Sequence, residues 1–158
     1  MSEQLDDIFI PAMQNGCEQP AGMFHALHTL ADQAVGVKLF TITAYDLEKG
    51  VSERRYTNMP AAYPVSGTKP LSPGKWSTVV LERHETFVAN TISEIAEVFN
   101  DHELIHSLGC ASVINVPVIV GGRNIGSINC LHEAGYYTPS RVQAAQFLKV
   151  PGAVCLLS

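Results

Sequence analysis

Long apolar runs are missing from this 158-residue chain, and no stretch approaches the ~20 residues that would span a bilayer. Charge is sparse as well. Asp, Glu, Lys and Arg make up 16% of residues, the net charge is −5, and no basic stripe runs along any segment. Neither membrane insertion nor direct nucleic-acid binding is therefore expected. The four cysteines, Cys17, Cys110, Cys130 and Cys155, show no CxxC spacing, so they read as buried small hydrophobes in a reducing compartment. Also missing are a P-loop, a GxGxxG turn, paired carboxylates on one face, and a nucleophile with an evident base, which leaves catalysis little to stand on. The N-terminal MSEQLDDIFI is acidic, unlike a secretory signal or transit peptide, and a cytoplasmic location is expected. A hydrophobic fraction of 46% fits one domain with a substantial core.

What the chain does have is a hairpin. Residues 111–132 read ASVINVPVIVGGRNIGSINCLH, two β-rich runs around Gly121-Gly122-Arg123-Asn124, and glycine supplies the positive φ a tight reversal needs. A slip of one residue exchanges the faces of one strand relative to the other, so register can be judged by how well it sorts side chains. With Ile119 opposite Ile125, one face carries Ile114, Val116, Val118, Ile128 and Cys130. The other carries Val113, Asn115, Ser127, Asn129 and Leu131. This second face is polar yet holds no Lys or Glu, unlike a solvated surface. It reads as the wall of a pocket.

Residues 1–20 contain Pro11, Gly16 and Pro20 and read as a loose lead-in to a domain over 21–158. Phe24, Leu27, Leu30, Ala31 and Ala34 recur at helical spacing over 21–35, with Gly36 as the stop. Residues 37–46 alternate: Phe40, Ile42 and Ala44 point one way, Leu39, Thr41, Thr43 and Tyr45 the other. Residues 51–57 return as a charged edge strand. The proline-rich connection 59–75 is long enough to be functional. A short helix is expected over 76–83, a strand over 86–90, a loop or single turn over 91–99, and a helix from Asn100 or Asp101 to Leu108. Thr138-Pro139-Ser140 opens the last helix, which Pro151 should kink or end. The expected fold class is α+β. A mostly antiparallel central sheet has the N- and C-terminal helices on its greasy face, and loops and short helices cover a pocket on the other.

Asn115-Val116-Pro117-Val118, the Gly-Gly turn, Ile125-Gly126-Ser127-Ile128 and Thr138-Pro139 together resemble a GAF domain, the small-molecule-sensing relative of PAS, over nearly the whole chain. The resemblance implies a ligand face on the loop side of the sheet, the face already picked out by register, and homodimerisation through the terminal helices. Free methionine-R-sulfoxide reductases are standalone GAF enzymes of similar size. Aligned with them, their loop cysteines fall near Ser66 and at Trp76, their catalytic cysteine near His106, and their substrate-binding acids on Val113, Asn129 and Leu131. Those positions are replaced, and Cys110 is the one thiol left for such chemistry. The bilin-attaching cysteine of phytochromes, near Asn100 or Asp101, is missing, as is the Asn-Lys-Phe-Asp-Glu set of cyclic-nucleotide-binding GAF domains.

The expected activity is accordingly a sensor or regulatory domain for a small polar metabolite, neutral or anionic. A signal would pass through a protein effector or a change in a dimer. The alternatives are a methionine sulfoxide reductase-like enzyme using Cys110 and a ligand-free dimerisation module. The candidate contacts are Thr41, Thr43, Tyr45, Trp76, His102, His106, Asn115, Ser127 and Asn129. The polar members of this set can meet a ligand or satisfy one another. His25 with His28, and His102 with His106 and Cys110, have metal-like spacing, but each set lacks a further ligand, so neither a metal nor a cofactor is expected. Asn129→Leu is expected to abolish binding and leave thermal stability nearly intact.

Overall fold

A computed structural model describes residues 2–65 and 67–158. Its six strands are β1 (Leu39–Asp46), β2 (Val51–Thr57), β3 (Thr68–Pro70), β4 (Phe87–Ala89), β5 (Ser112–Val120) and β6 (Arg123–His132). They form one sheet in the order β3-β2-β1-β6-β5-β4, and every neighbouring pair is antiparallel. The α+β class holds. Val116 pairs with Ile128, Asn115 with Asn129 and Val113 with Leu131, the register that side-chain sorting favours. Only the tip departs from it. A bulge after Val118 sets Ile119 opposite Asn124 instead of Ile125. Asn124 holds the bulge, accepting from the Gly126 amide at 3.1 Å and donating to the Val80 carbonyl at 3.0 Å.

One face of this sheet is the main core. The Ala21–Ala34 helix lays Phe24, Leu27, Leu30 and Ala31 on Phe40, Ile42, Ile114 and Ile128. The last helical run, Pro139–Ala145 then Gln146–Leu148 then Lys149–Leu157, adds Ala145, Leu148, Cys155 and Leu156. Pro151 does not end it, and the run is α-helical again from Lys149 after the 3-10 turn at Gln146–Leu148. Pro151 is the third residue of Lys149–Leu157, where a backbone N–H has no intrahelical acceptor to lose. The lead-in also differs from expectation: Ser2–Gln4, Leu5–Phe9 and Ile10–Gln14 are all helical. Leu5, Ile8, Phe9 and Ala12 follow i, i+3, i+4, i+7 spacing and pack on the core with Phe9 buried, a stripe that nearby turn formers mask.

β2 is an inner strand over Val51–Glu53, because the three-residue β3 pairs outside it. Residues 91–99 contain a helix, Ile92–Ala96. Its start is capped by a Thr-x-x-Glu pair: the Glu94 amide donates to Thr91 Oγ1 at 3.2 Å, and Glu94 Oε1 accepts from the amide of Asn90, one residue before the N-cap, at 3.2 Å. That Thr-x-x-Glu signal was available in the sequence.

His28 ties the first helix to the sheet. Its ring stacks on Phe40 with centroids 5.3 Å apart. Asn58 Oδ1 accepts from the Phe40 amide at 2.8 Å, so its Nδ2 is the atom that faces His28 Nε2, at 3.5 Å. An amide nitrogen only donates, so Nε2 must stay unprotonated, with Tyr56 Oη 3.3 Å from Nδ1. Burial lowers the His28 pKa below its ordinary 6.5, with His25 adding to the effect and Asp32 opposing it. A folded pKa below the unfolded one means that the unfolded state binds the extra proton first. The contribution to stability is complete above about pH 6.5 and is lost as pH falls through the folded value. Thermal midpoints should decline on acidification through that window, and His28→Gln should flatten the decline. His132, shifted the same way chiefly by burial, should contribute to the slope that remains.

Candidate functional site

On its other face the sheet forms the floor of a cavity of about 490 Å³, within the 300–1,000 Å³ range typical of small-molecule sites. Period-two alternation puts Thr41, Thr43 and Tyr45 of β1, Ser127, Asn129 and Leu131 of β6, and Val113 and Asn115 of β5 on this side. Asn115 and Asn129 are 5% and 7% exposed. Both are buried in the cavity floor and are not turned to bulk water.

The floor is a connected hydrogen-bond network. Trp76 Nε1 donates to Asn115 Oδ1 at 3.0 Å, and Asn115 Nδ2 donates to Asn129 Oδ1 at 2.8 Å. Asn129 Oδ1 also accepts from Ser127 Oγ at 2.9 Å, and Ser127 Oγ accepts from Tyr45 Oη at 2.6 Å. Asn129 Nδ2 donates to Thr41 Oγ1 and Thr43 Oγ1, each at 3.1 Å. These side chains therefore satisfy one another and still border open space. Burial raises the Tyr45 phenol pKa against the opposing effect of its bond to Ser127, so the network is neutral throughout.

The roof comes from the 58–109 segment. Trp76 anchors it, standing edge-on to Tyr45 with centroids 6.0 Å apart. Beside it a latch joins three elements. Arg54 lies 3.8 Å over the Tyr63 ring and donates to the Pro64 carbonyl at 2.7 Å. Tyr63 Oη donates to Asp101 at 2.6 Å. Burial, then the Asp101 charge, raises the Tyr63 pKa. Lys69 and the Lys75–Glu97 pair, 3.2 Å apart, line the rim.

Seven of the nine expected contacts line this cavity: Thr41, Thr43, Tyr45, Trp76, Asn115, Ser127 and Asn129. His102 and His106 do not. The His102–Ser107 helix turns Asp101 and Ile105 inward, and a residue one position on is rotated by ~100°. That rotation carries His102 off the lining and leaves His106 exposed. Cys110 is buried in a second core with Leu39, Val80, Phe87 and Ile105, outside the cavity lining, and burial raises its thiol pKa with Lys38 opposing. Ser66 lies outside the described residues.

Arg54, Tyr63, Lys69 and Asp101 are lining residues that the sequence reading missed. Strand parity places Ser52, Arg54 and Tyr56 on one face. A register shift in β2, with Ile42 opposite Tyr56 but Thr43 opposite Arg54, sends Tyr56 to the core and Arg54 to the cavity.

Among the described residues no group of three His, Cys, Asp or Glu side chains is placed to hold a metal ion, and no helix is long and apolar enough to cross a membrane. No curated protein matches the chain. Several solved structures share its fold. The GAF domain of a two-component sensor histidine kinase from Bacillus halodurans superposes with a TM-score of 0.70 at 10% identity, over 88% of this chain and 94% of that one. The GAF domain of an Acinetobacter phosphoenolpyruvate-protein phosphotransferase gives 0.70 at 16% identity, over 97% and 92%. The blue-light-absorbing form of the Thermosynechococcus elongatus PixJ GAF domain gives 0.63 at 13% identity, over 85% and 82%. A family model described as GAF domain matches residues 18–149, most of the chain, and this chain belongs to the GAF domain family.

Proposed function

We propose that this GAF domain is a sensory or regulatory module that binds a small polar metabolite between the sheet and the 58–109 segment. It would pass the signal to a protein effector or through a dimer. The observation that carries the reading is the 490 Å³ space left beside an already complete polar network. A module used only for dimerisation would fill that space with its own side chains. The structural neighbours from a sensor kinase and a phosphotransferase are GAF domains of signalling or transfer proteins by description, which supports the sensory reading. Val150 and Leu157 on the last helix, 72% and 64% exposed, support a partner or second copy at that surface. The reductase alternative rests on Cys110, whose thiol is buried and kept protonated by that burial, the reverse of what an attacking thiolate needs.

Native mass spectrometry of freshly purified protein tests the proposal. The expected spectrum shows a retained small-molecule mass that is lost on denaturation, and it reports the oligomeric state at the same time. Bare chain alone, even after incubation with a metabolite extract, would count against a ligand site.

A further inference from the structure

The network in the cavity floor has a direction, and one residue sets it. An indole N–H can donate but never accept, so Asn115 must turn Oδ1 toward Trp76. That leaves Asn115 Nδ2 facing Asn129, which must then present Oδ1. Asn129 is left with its Nδ2 toward both threonines. An amide nitrogen does not accept, so Thr41 and Thr43 use lone pairs here and keep their hydroxyl protons. Among the described residues neither hydroxyl donates to a protein acceptor. The polar end of the cavity therefore offers two free O–H donors.

Charge at the rim points the same way. Three cationic side chains line the cavity, Arg54, Lys69 and Lys75, against two carboxylates, Glu97 and Asp101, a local balance of +1 on a chain of net charge −5. Lys75 is paired with Glu97. Among the described residues Arg54 and Lys69 have no carboxylate partner. Beyond the network the floor is apolar at Val113 and Leu131, and Phe99 and Ile105 add apolar lining from the roof.

Resting on the reading of this cavity as a ligand site, we infer that it takes a small monocarboxylate. The carboxylate oxygens accept from the Thr41 and Thr43 hydroxyls and the apolar body lies against Val113 and Leu131. Trp76 is the positioning residue that fixes this polarity through Asn115 and Asn129.

Trp76 is the only tryptophan, so a single indole N–H resonance reports on the site. Hexanoate, hexanol and hexylammonium are titrated into 15N-labelled protein and followed at that resonance. Hexanoate should bind tighter than either counterpart by on the order of ten-fold or more. Asn129→Asp keeps the acceptor that Asn115 and Ser127 use but turns a second carboxylate oxygen toward the threonines. Their protons are then consumed, and the preference should reverse toward hexylammonium. Thr43→Val serves as a milder second variant, expected to weaken hexanoate binding more than hexanol binding. If hexanoate has no advantage in the unmodified protein, or keeps its advantage in Asn129→Asp, the inference fails while the cavity remains a ligand site for whatever does bind. If none of the three moves the indole resonance the inference also fails. Bare chain in the native mass spectrum would then remove the ligand reading with it.

Discussion

Asn129→Leu should destabilise the fold by roughly 3 kcal/mol or more, lowering the thermal midpoint by ~10 °C for a domain of this size. The sequence-based expectation of nearly intact stability treats Asn129 as a contact for the ligand alone. In the structure it is the hub that Asn115, Ser127, Thr41 and Thr43 share. Leucine branches at the same carbon but is larger, and burying it would gain up to ~2 kcal/mol beside apolar neighbours. Here its neighbours are polar, and the substitution strands Asn115 Nδ2 and the Ser127 hydroxyl, both on buried residues. The threonines lose less, because each hydroxyl can rotate. Desolvation without a partner exceeds the transfer gain, so the net effect is unfavourable. Differential scanning calorimetry at neutral pH reads it directly, and an unchanged midpoint would mean that the network adds little to the fold. Asn129→Asp, which retains an acceptor for both stranded donors, should cost clearly less.

The same hub shows how far a sequence can be read. The sheet faces were legible because β1, β5 and β6 alternate cleanly, and side-chain parity is insensitive to small errors in strand ends. Six of the seven expected contacts that line the cavity follow from that parity alone, Trp76 being the exception. What parity could not supply is anything that depends on a broken period. The register shift in β2 turns Tyr56 to the core while Arg54 stays on the cavity face, and the bulge at the hairpin tip moved Asn124 into a backbone-clamping position. Residues on the roof fail for another reason. His102 and Asp101 are neighbours in sequence, and which of them faces the cavity depends on the rotation of a two-turn helix, set by Ile105 seeking the second core. The direction of the Trp76–Asn115–Asn129 relay lies further still from the sequence, because it emerges only once three separate elements have met.

Gly126→Ala should be about as damaging as losing the Asn129 hub, with a cost of about 3 kcal/mol. Gly126 lies mid-strand in β6, opposite Ala44 of β1 and Val118 of β5, so both neighbours are fixed by backbone ladders. A Cβ at this position would fall on the Thr43 carbonyl oxygen and on the two methyls of Leu156 from the last helix. Leucine methyls can shift. A strand carbonyl cannot, because moving it tears the β1–β6 pairing that also sets Thr41 and Thr43 against Asn129. The damage should therefore reach the cavity as well as the core. Chemical denaturation should show a lower midpoint, and the Trp76 indole resonance should shift without ligand, although Trp76 lies across the sheet from Leu156. Gly122→Ala is the control. Its added Cβ meets nothing, but φ is +78°, so its cost is conformational, about 1 kcal/mol, and confined to the exposed turn. An indole shift for Gly126→Ala and none for Gly122→Ala would show that the close approach of β1 and β6 at Gly126 helps to hold the polar floor in register.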